Sequence, residues 1–256
     1  MSQPDFDVVF ATTGDELRAA QALRYDVFVR ELGGDGPLVD HNAGLEIDSF
    51  DKHSKHLLLL DRARSDDAAH QVVGVYRLLD AQGAQNAGGF YSAREFDLAP
   101  LIASKRALLE LGRSCLHRDY RGGMAMYYLW SKLARYVLEQ KVDVLFGVAS
   151  FHGTDPAPLT APLTLLHQRH LASQDLRPIA QEPCISMAEF STEQIARKDT
   201  MMQIPALIKA YLRLGGCIGQ GAYLDHTFNT TDVCLVLDVS NMSEKQRRLY
   251  SMEHAQ

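Results

Sequence analysis

Short continuous apolar runs and stripes of apolar residues at helical spacing follow one another along the chain, and their order predicts a mixed α/β fold. Residues 6–11 (FDVVFA), 55–61 (KHLLLLD), 71–79 (QVVGVYRLL), 108–116 (LLELGRSCL) and 143–149 (DVLFGVA) read as strands, the second and third as an antiparallel pair. Gly74 inside the third implies a bulge or a close approach of neighbouring atoms. Thr13 opens Thr-Gly-Asp-Glu, a capping box in which Thr13 and Glu16 satisfy free amides at a helix start. That helix carries Leu17, Ala20, Val27 and Phe28 on one stripe and stops at Gly33, Gly34, Gly36 and Pro37. Arg24 falls on the same stripe. An arginine aimed at a core needs carboxylate partners unless its head group snorkels to the surface, and the acidic loop that reaches Asp51 offers them.

Residues 82–89 read as a turn and 90–98 as irregular. Met126, Leu129, Trp130, Leu133 and Val137 then set one apolar face of a helix over 123–141, between the strands 108–116 and 143–149. Strand, glycine turn, helix and strand make a βαβ unit with near-parallel strands. Three prolines and LTLLHQRHL mark an inserted loop and helical segment at about 154–200. A helix over 204–214 ends at Gly215-Gly216, and strands at 217–224 and 233–239, joined by HTFNTTD, close the chain. The expectation is one domain over 1–256, a twisted mixed sheet with helices on both faces.

Composition narrows the class. A chain of 256 residues at 46% hydrophobic content can bury a sizeable core. Cys115, Cys184, Cys217 and Cys234 lie far apart, which argues against a zinc or disulfide framework and for a reducing compartment. MSQPDFD lacks the charged-then-apolar pattern of a leader, and no apolar run has the length of a membrane span, so a cytoplasmic protein is expected, meeting a membrane only at its surface. Charge is uneven. Between Glu31 and Asp51 there are six acids and no Lys or Arg, whereas Lys105, Arg106, Arg113, Arg118, Arg121, Lys132 and Arg135 face only Glu110 and Asp119 in the stretch 105–135. Two surfaces with different partners are implied, the basic one suited to phosphate or to an acidic protein.

The candidate chemistry gathers in the segment 107–130. Arg121, Gly122 and Gly123 open a helix whose free amides and dipole make an anion site, with Arg118 and Arg121 as charged donors. Glu110 sits inside an apolar strand, three residues before Arg113. It is either half of a structural ion pair or a proton acceptor for an attacking amine. Arg77, in an otherwise apolar strand end, reads as an edge charge or a polar group on a pocket wall. Cys115 reads as a small buried hydrophobe rather than an acyl-accepting thiol. The ten histidines show no ligand spacing, so no metal is expected, and nothing points to nucleic acid.

From Arg24 onward the chain resembles the hemolysin-related branch of GNAT-fold N-acyltransferases, and most closely the ornithine Nα-acyltransferases. The pieces are Leu23-Arg24-Tyr25-Asp26-Val27-Phe28, Asp48-Ser49-Phe50-Asp51 with His56, Gly74-Val75-Tyr76-Arg77-Leu78-Leu79, Gly89-Phe90-Tyr91-Ser92 with Glu95-Phe96-Asp97-Leu98, Glu110-Leu111-Gly112-Arg113-Ser114-Cys115 and Leu129-Trp130, continued by 211–215 and 225–233. The skeleton Arg24, Phe28, Asp48, Asp51, Arg77, Glu110 and Arg113 is also similar to acyl-homoserine-lactone synthases, although Trp130 is the sole tryptophan. Met124 and Met126 stand where the common R-x-x-G-x-G/A loop of acetyl-CoA users has small residues. The resemblance implies transfer of a 3-hydroxy fatty acyl group from the phosphopantetheine arm of acyl-carrier protein to the α-amine of ornithine, with no permanently bound cofactor. It implies Glu110, Arg113 and Asp48 as catalytic residues, and Arg24, Phe28, Glu46, Asp51 and Arg77 at the acceptor. Ser114, Cys115, Arg118, Arg121, Gly122 and Gly123 would lie at the acyl donor, with backbone amides near Ser114 and Cys115 holding the oxyanion. Glu46 and Asp48 would take the side-chain amine of ornithine, and Arg24 or Arg77 its carboxylate. Another acceptor, such as glutamine or glycine, or a silent carrier-protein sensor, are the alternatives.

Overall fold

A computed structural model describes residues 3–188 and 197–242. In chain order, its first half comprises β1 (Phe6–Phe10), α1 (Gly14–Arg24), β2 (Val39–Asp40), β3 (Leu45–Glu46), β4 (Lys55–Asp61), α2 (Ala68–Gln71), β5 (Val72–Asp80), α3 (Ala81–Ala87), β6 (Phe96–Asp97), α4 (Ala99–Ala103) and β7 (Leu108–Leu116). There follow α5 (Ala125–Glu139), β8 (Val144–His152), α6 (Thr160–His170), β9 (Ile179–Ala180), β10 (Cys184–Ile185), α7 (Arg197–Gln203), α8 (Ala206–Arg213), β11 (Cys217–Ile218), β12 (Ala222–Asp225) and β13 (Thr230–Asp238). They form two compact units, one from residues 3–88 and 111–141 and the other from 89–110 and 142–242, and β7 passes from the second into the first after Glu110.

In the first unit the strands run β1-β4-β5-β7; β4/β5 is the antiparallel pair that the apolar runs predict, and β1 also lies antiparallel to β4. The register slips between Leu59 and Leu60, and Gly74 lies at the slip. A Cβ on Gly74 would stand 2.7 Å from Leu116 Cδ2 and 2.9 Å from Leu129 Cδ1, so both readings of this glycine hold. The Thr13–Glu16 capping box forms, and α1 continues through a wider π-type stretch over Tyr25–Glu31 that ends before Gly33, in the left-handed region at φ 74°. The apolar stripe of this helical segment buries Ala20, Leu23 and Val27 among Leu58, Leu60, Val72, Val75 and Cys115. The loop reaching Asp51 folds into a small β2–β3 hairpin.

Most of the stretch 82–89, expected as a turn, is helical, within α3. Asp80 caps it by accepting from the Gly83 amide, and Gly83 is small because a Cβ there would lie 2.3 Å from the His53 carbonyl oxygen. Its glycine serves close packing rather than a bend.

In the second unit β7 pairs parallel with β8 over Leu108–Glu110 and Val144–Phe146, as the βαβ reading requires. The ladder stops there, while β8 runs on to His152, three residues past its predicted end, paired antiparallel with β13 along its whole length. The order continues β13-β12-β10. The strand predicted over 217–224 is broken into β11 and β12. Gly219 packs against the Pro178 carbonyl, where a Cβ would lie 2.7 Å from the oxygen, and Gly221 has φ 80°. β13 begins at Thr230, earlier than expected. The inserted segment contributes α6 and the short β9 and β10; its residues 189–196 lie outside those described. Among the described residues no helix is long and apolar enough to cross a membrane.

Candidate active site

Arg24 reaches the core because the α1 stripe carries it there, and its side chain is fully buried. Its Nε and Nη2 contact Glu46 Oε2, and its Nη1 donates to Asp51 Oδ1 at 2.8 Å. Arg113 donates from Nε to Glu46 Oε1 at 3.1 Å and from Nη2 to Asp48 Oδ2 at 2.7 Å. Arg77 Nη1 lies 3.1 Å from Asp48 Oδ2 and 3.4 Å from Asp51 Oδ1. Three guanidinium groups thus interlock with three carboxylates, all inside the first unit. The β2–β3 hairpin and the turn after it position the acids; the Asp48 amide donates to Asp51 and the Phe50 amide to Asp48. Burial pushes Asp51 upward, but Arg24, Arg77 and the Gln21 amide that donates to it bring it down to about 2. Burial likewise raises Asp48, and Arg77 and Arg113 hold it below the ordinary carboxylate range.

This network changes the picture drawn from charge alone. Glu46, Asp48 and Asp51 spend their oxygens on arginines of the chain itself, and Glu31 meets Arg121 Nη1 at 2.9 Å and Arg118 Nε at 3.5 Å. Glu31, Glu46 and Asp48 of the acid-rich stretch pair with Arg113, Arg118 and Arg121 of the base-rich one, so the two, read as surfaces for separate partners, are in part each other's partners. Arg118 and Arg121 remain exposed on their outer sides, and Arg121 also donates to the Leu116 carbonyl at 3.0 Å.

Arg113 has φ 51°, rare for a non-glycine residue, so β7 bulges where its two ion pairs hold it. Beyond the bulge, Ser114 Oγ is buried without a hydrogen-bond partner, and Cys115 is buried among the core apolar residues with Phe28 packed against the same cluster. Burial pushes the Cys115 thiol up to about 12, which disfavours the thiolate that a nucleophile needs. His56 Nε2 faces the Asp51 carbonyl at 2.9 Å, an acceptor, which places the ring proton there and leaves Nδ1 buried as a bare acceptor. Its desolvation keeps the ring below its ordinary value. Gly122 (φ 77°) and Gly123 lead into α5, whose first residue has no side-chain cap.

In the second unit, Glu110 is buried and accepts the Tyr91 amide at 2.7 Å on Oε2, with the Ser92 amide at 2.6 Å and the Ser92 hydroxyl on Oε1. Three donors from the 91–92 turn thus converge on its two carboxylate oxygens. Arg106 pairs with Asp238. Two groups escape a reading of local pattern. Gln21 announces itself only as a polar residue three before Arg24. Glu95, Asp225 and Asp232 bring carboxylate oxygens within 4.8 Å of one another, although more than a hundred residues separate the first from the others.

Residues 23–131 match a family described as Acetyltransferase (GNAT) domain. The chain is 51% identical to an L-ornithine N(alpha)-acyltransferase of Rhodobacter capsulatus, over 96% of this chain and 95% of that one. It is 37% identical to an L-ornithine N(alpha)-acyltransferase of Agrobacterium fabrum, over 93% of this chain and 82% of the relative. Among solved structures, FeeM, an N-acyl amino acid synthase from uncultured soil microbes, superposes with TM-score 0.52 at 13% identity, covering 93% of each chain. BjaI, a CoA-dependent acyl-homoserine lactone synthase, superposes with TM-score 0.51 at 15% identity, covering 96% of this chain and 88% of its own. At such identities these two likenesses concern the fold. By its identity to the curated relatives along nearly its whole length, the chain belongs to the L-ornithine N(alpha)-acyltransferase family of GNAT-fold enzymes.

Proposed function

We propose that the protein moves a 3-hydroxy fatty acyl group from the phosphopantetheine arm of acyl-carrier protein to the α-amine of L-ornithine, yielding a lyso-ornithine lipid. The observation that carries the acceptor in this reading is the 51% identity to the R. capsulatus relative, named for acylation of the α-nitrogen of ornithine. The neutral amine attacks the thioester carbonyl, a tetrahedral oxyanion forms, and its collapse breaks the carbon–sulfur bond while the carbon–nitrogen bond stays. The nitrogen gives up its proton and the departing thiolate takes one, so no redox partner is needed.

The choice of nitrogen has a physical basis. An α-amine has a pKa near 8 and a lysine-like side-chain amine about 10.4, so neutralising the first is easier by roughly 3 kcal/mol. The demand on a base is therefore modest. Glu110 is assigned the receipt of the amine proton, directly or through water, in its charged form. The bulge at Arg113 supports a role for the following backbone amides, at Ser114 and Cys115, as oxyanion donors. Gly122 and Gly123 at the uncapped start of α5 suit the phosphate of the arm, and exposed Arg118 and Arg121 suit the acidic carrier protein. The network of Arg24, Arg77, Arg113, Glu46, Asp48 and Asp51 supports that bulge, and the role is one of positioning. The amphipathic product places the enzyme's work near a membrane surface.

Purified protein incubated with 3-hydroxyacyl carrier protein and single amino acids tests the reading. Formation of the Nα-acyl product with ornithine is expected. Turnover with glutamine or glycine and none with ornithine would overturn the acceptor; binding of the carrier protein with no product from any amino acid would make the protein a sensor; equal efficiency with acyl-CoA would remove the carrier protein as donor.

A further inference from the structure

The β12–β13 hairpin of the second unit gathers acceptors on one face. Tyr223 stands opposite Asp232 and Asp225 opposite Thr230, and because side chains alternate along a strand, these four share a face with Cys234. β8 adds Ser150 and His152 beside Asp232 and Thr230. Glu95, at the end of the 91–94 turn, completes the set with Asp225 and Asp232, their carboxylate oxygens all within 4.8 Å. Asp225 spends Oδ1 on the Thr227 and Phe228 amides, which fixes its side chain.

Thr230 is a separate pointer to a ligand. It is 8% exposed, its hydroxyl has no hydrogen-bond partner, and the register sets it directly across from Asp225 and two residues from Asp232 on the same face. The Tyr223 hydroxyl is displaced upward by burial and by Glu95, Asp225 and Asp232, in accord with its place beside them.

We propose that Glu95, Asp225, Thr230 and Asp232 form the seat for the side-chain ammonium of the amino-acid acceptor, a subsite that rests on the ornithine acyltransfer proposed above. An ammonium donating three hydrogen bonds of about 2.8 Å in tetrahedral directions spaces its acceptors about 4.6 Å apart, compatible with the carboxylate spacing here. The hydroxyl of Thr230 supplies a further polar contact. Glu46 and Asp48, the acids that sequence assigns to this amine, are occupied by Arg24, Arg77 and Arg113. Glu110 lies in the same unit; burial, Glu110 and Glu95 together raise the Cys234 thiol, and Cys234 is one same-face step along β13 from Asp232. A buried anionic seat does more than recognise the amine. It favours the protonated form, which has no lone pair for attack, and so confines acylation to the α-nitrogen.

The test uses the full chain with 3-hydroxyacyl carrier protein, ornithine and norvaline, the latter having the same carbon chain without the terminal amine. Asp225→Asn, at a half-buried position, is expected to raise the KM for ornithine about 10- to 100-fold, the loss of one charge-assisted hydrogen bond, with the KM for the carrier protein unchanged. The preference for ornithine over norvaline falls in parallel. Thr230→Val is expected to raise the ornithine KM several-fold at an unchanged thermal midpoint. Calorimetric binding of ornithine without donor gives the same comparison independently of turnover. If the native protein acylates ornithine while Asp225→Asn and Thr230→Val keep its KM, its affinity and its preference over norvaline, the subsite is wrong and the activity stands. If the native protein does not acylate ornithine, the activity itself fails. Loss of native turnover in EDTA, restored by Mg²⁺ or Ca²⁺ alone, with Asp225→Asn insensitive to either, would make the cluster a metal site and overturn the ammonium seat.

Discussion

Replacing Arg24 by Met removes one positive charge from Glu46 and Asp51 and keeps a long apolar stem on the α1 stripe. The native network balances three guanidinium groups against three carboxylates; the variant has two against three, in a region nearly closed to water. Stripping one partner from a buried pair destabilises by about 3–5 kcal/mol, a large share of the 5–15 kcal/mol that holds a typical domain together. The pH dependence separates this charge effect from lost packing. Asp51 is held at about 2 against an ordinary 3.8, with burial raising it and Arg24 the main group bringing it down. A carboxyl lowered on folding contributes stability that is complete above its unfolded value and disappears as pH falls through its folded one. For Asp51 that window runs from about pH 4 to about pH 2 and is worth about 2 kcal/mol. In Arg24→Met burial is no longer opposed by the main partner, so Asp51 rises and its protonation relieves the stray charge. The gap in unfolding free energy between native and variant is therefore widest near neutral pH and narrows as pH falls through the window from about 4 to about 2. Urea titrations followed by circular dichroism measure it. A gap below about 1 kcal/mol at neutral pH, or one that stays constant with acid, refutes the reasoning.

Four more expectations follow from the same geometry. Gly74→Ala forces Leu116 and Leu129 aside and destabilises by about 1–3 kcal/mol, read as a lower urea midpoint; an unchanged midpoint means that the β4–β5 slip is looser than its contacts imply. Glu110→Gln replaces an acceptor oxygen by a donor amide facing the Tyr91 or Ser92 N–H, and kcat falls at least about 10-fold with a lesser effect on the thermal midpoint; near-normal kcat at all pH values removes Glu110 from the chemistry. Cys115→Ala keeps kcat within a few-fold because the thiol, pushed up to about 12, is uncharged and buried, whereas abolished turnover in a folded variant contradicts that inert role. Arg118→Glu with Arg121→Glu raises the KM for the carrier protein and flattens its salt dependence, and an unchanged KM at low and high salt dismisses the docking patch.

The parts of the fold legible in sequence are those where local pattern and tertiary environment agree. β4 and β7 match their predicted bounds because their apolar residues are buried there, and the capping box is a contact between residues three apart. Arg24 was legible as a charge on an apolar stripe, and its acids were found where the following loop offered them. α3 was not, because Gly83 looks the same in a sequence whether it permits a turn or admits the His53 carbonyl. The extension of β8 through Ser150 and His152 was hidden by polar residues on its exposed face, which only the pairing with β13 reveals as strand. Glu95, Asp225 and Asp232 form no local pattern, so their meeting depends on the topology of the second unit.

A run of one charge sign tells how much potential a segment carries, not whether the chain neutralises it. Glu31, Glu46, Asp48 and Asp51 are consumed by Arg24, Arg77, Arg113, Arg118 and Arg121, so these four acids offer little to a cationic acceptor. Their charge is spent inside the fold: the arginine bonded to Glu46 and Asp48 is also the residue that leaves the ordinary strand conformation in β7. If those pairs hold the bulge, an uncharged substitute at Arg113 relaxes it, and the exchange protection of the amides following it changes while that of β4 is preserved. On the mechanism proposed above, electrostatics in this region then acts on catalysis through backbone geometry rather than through contact with substrate.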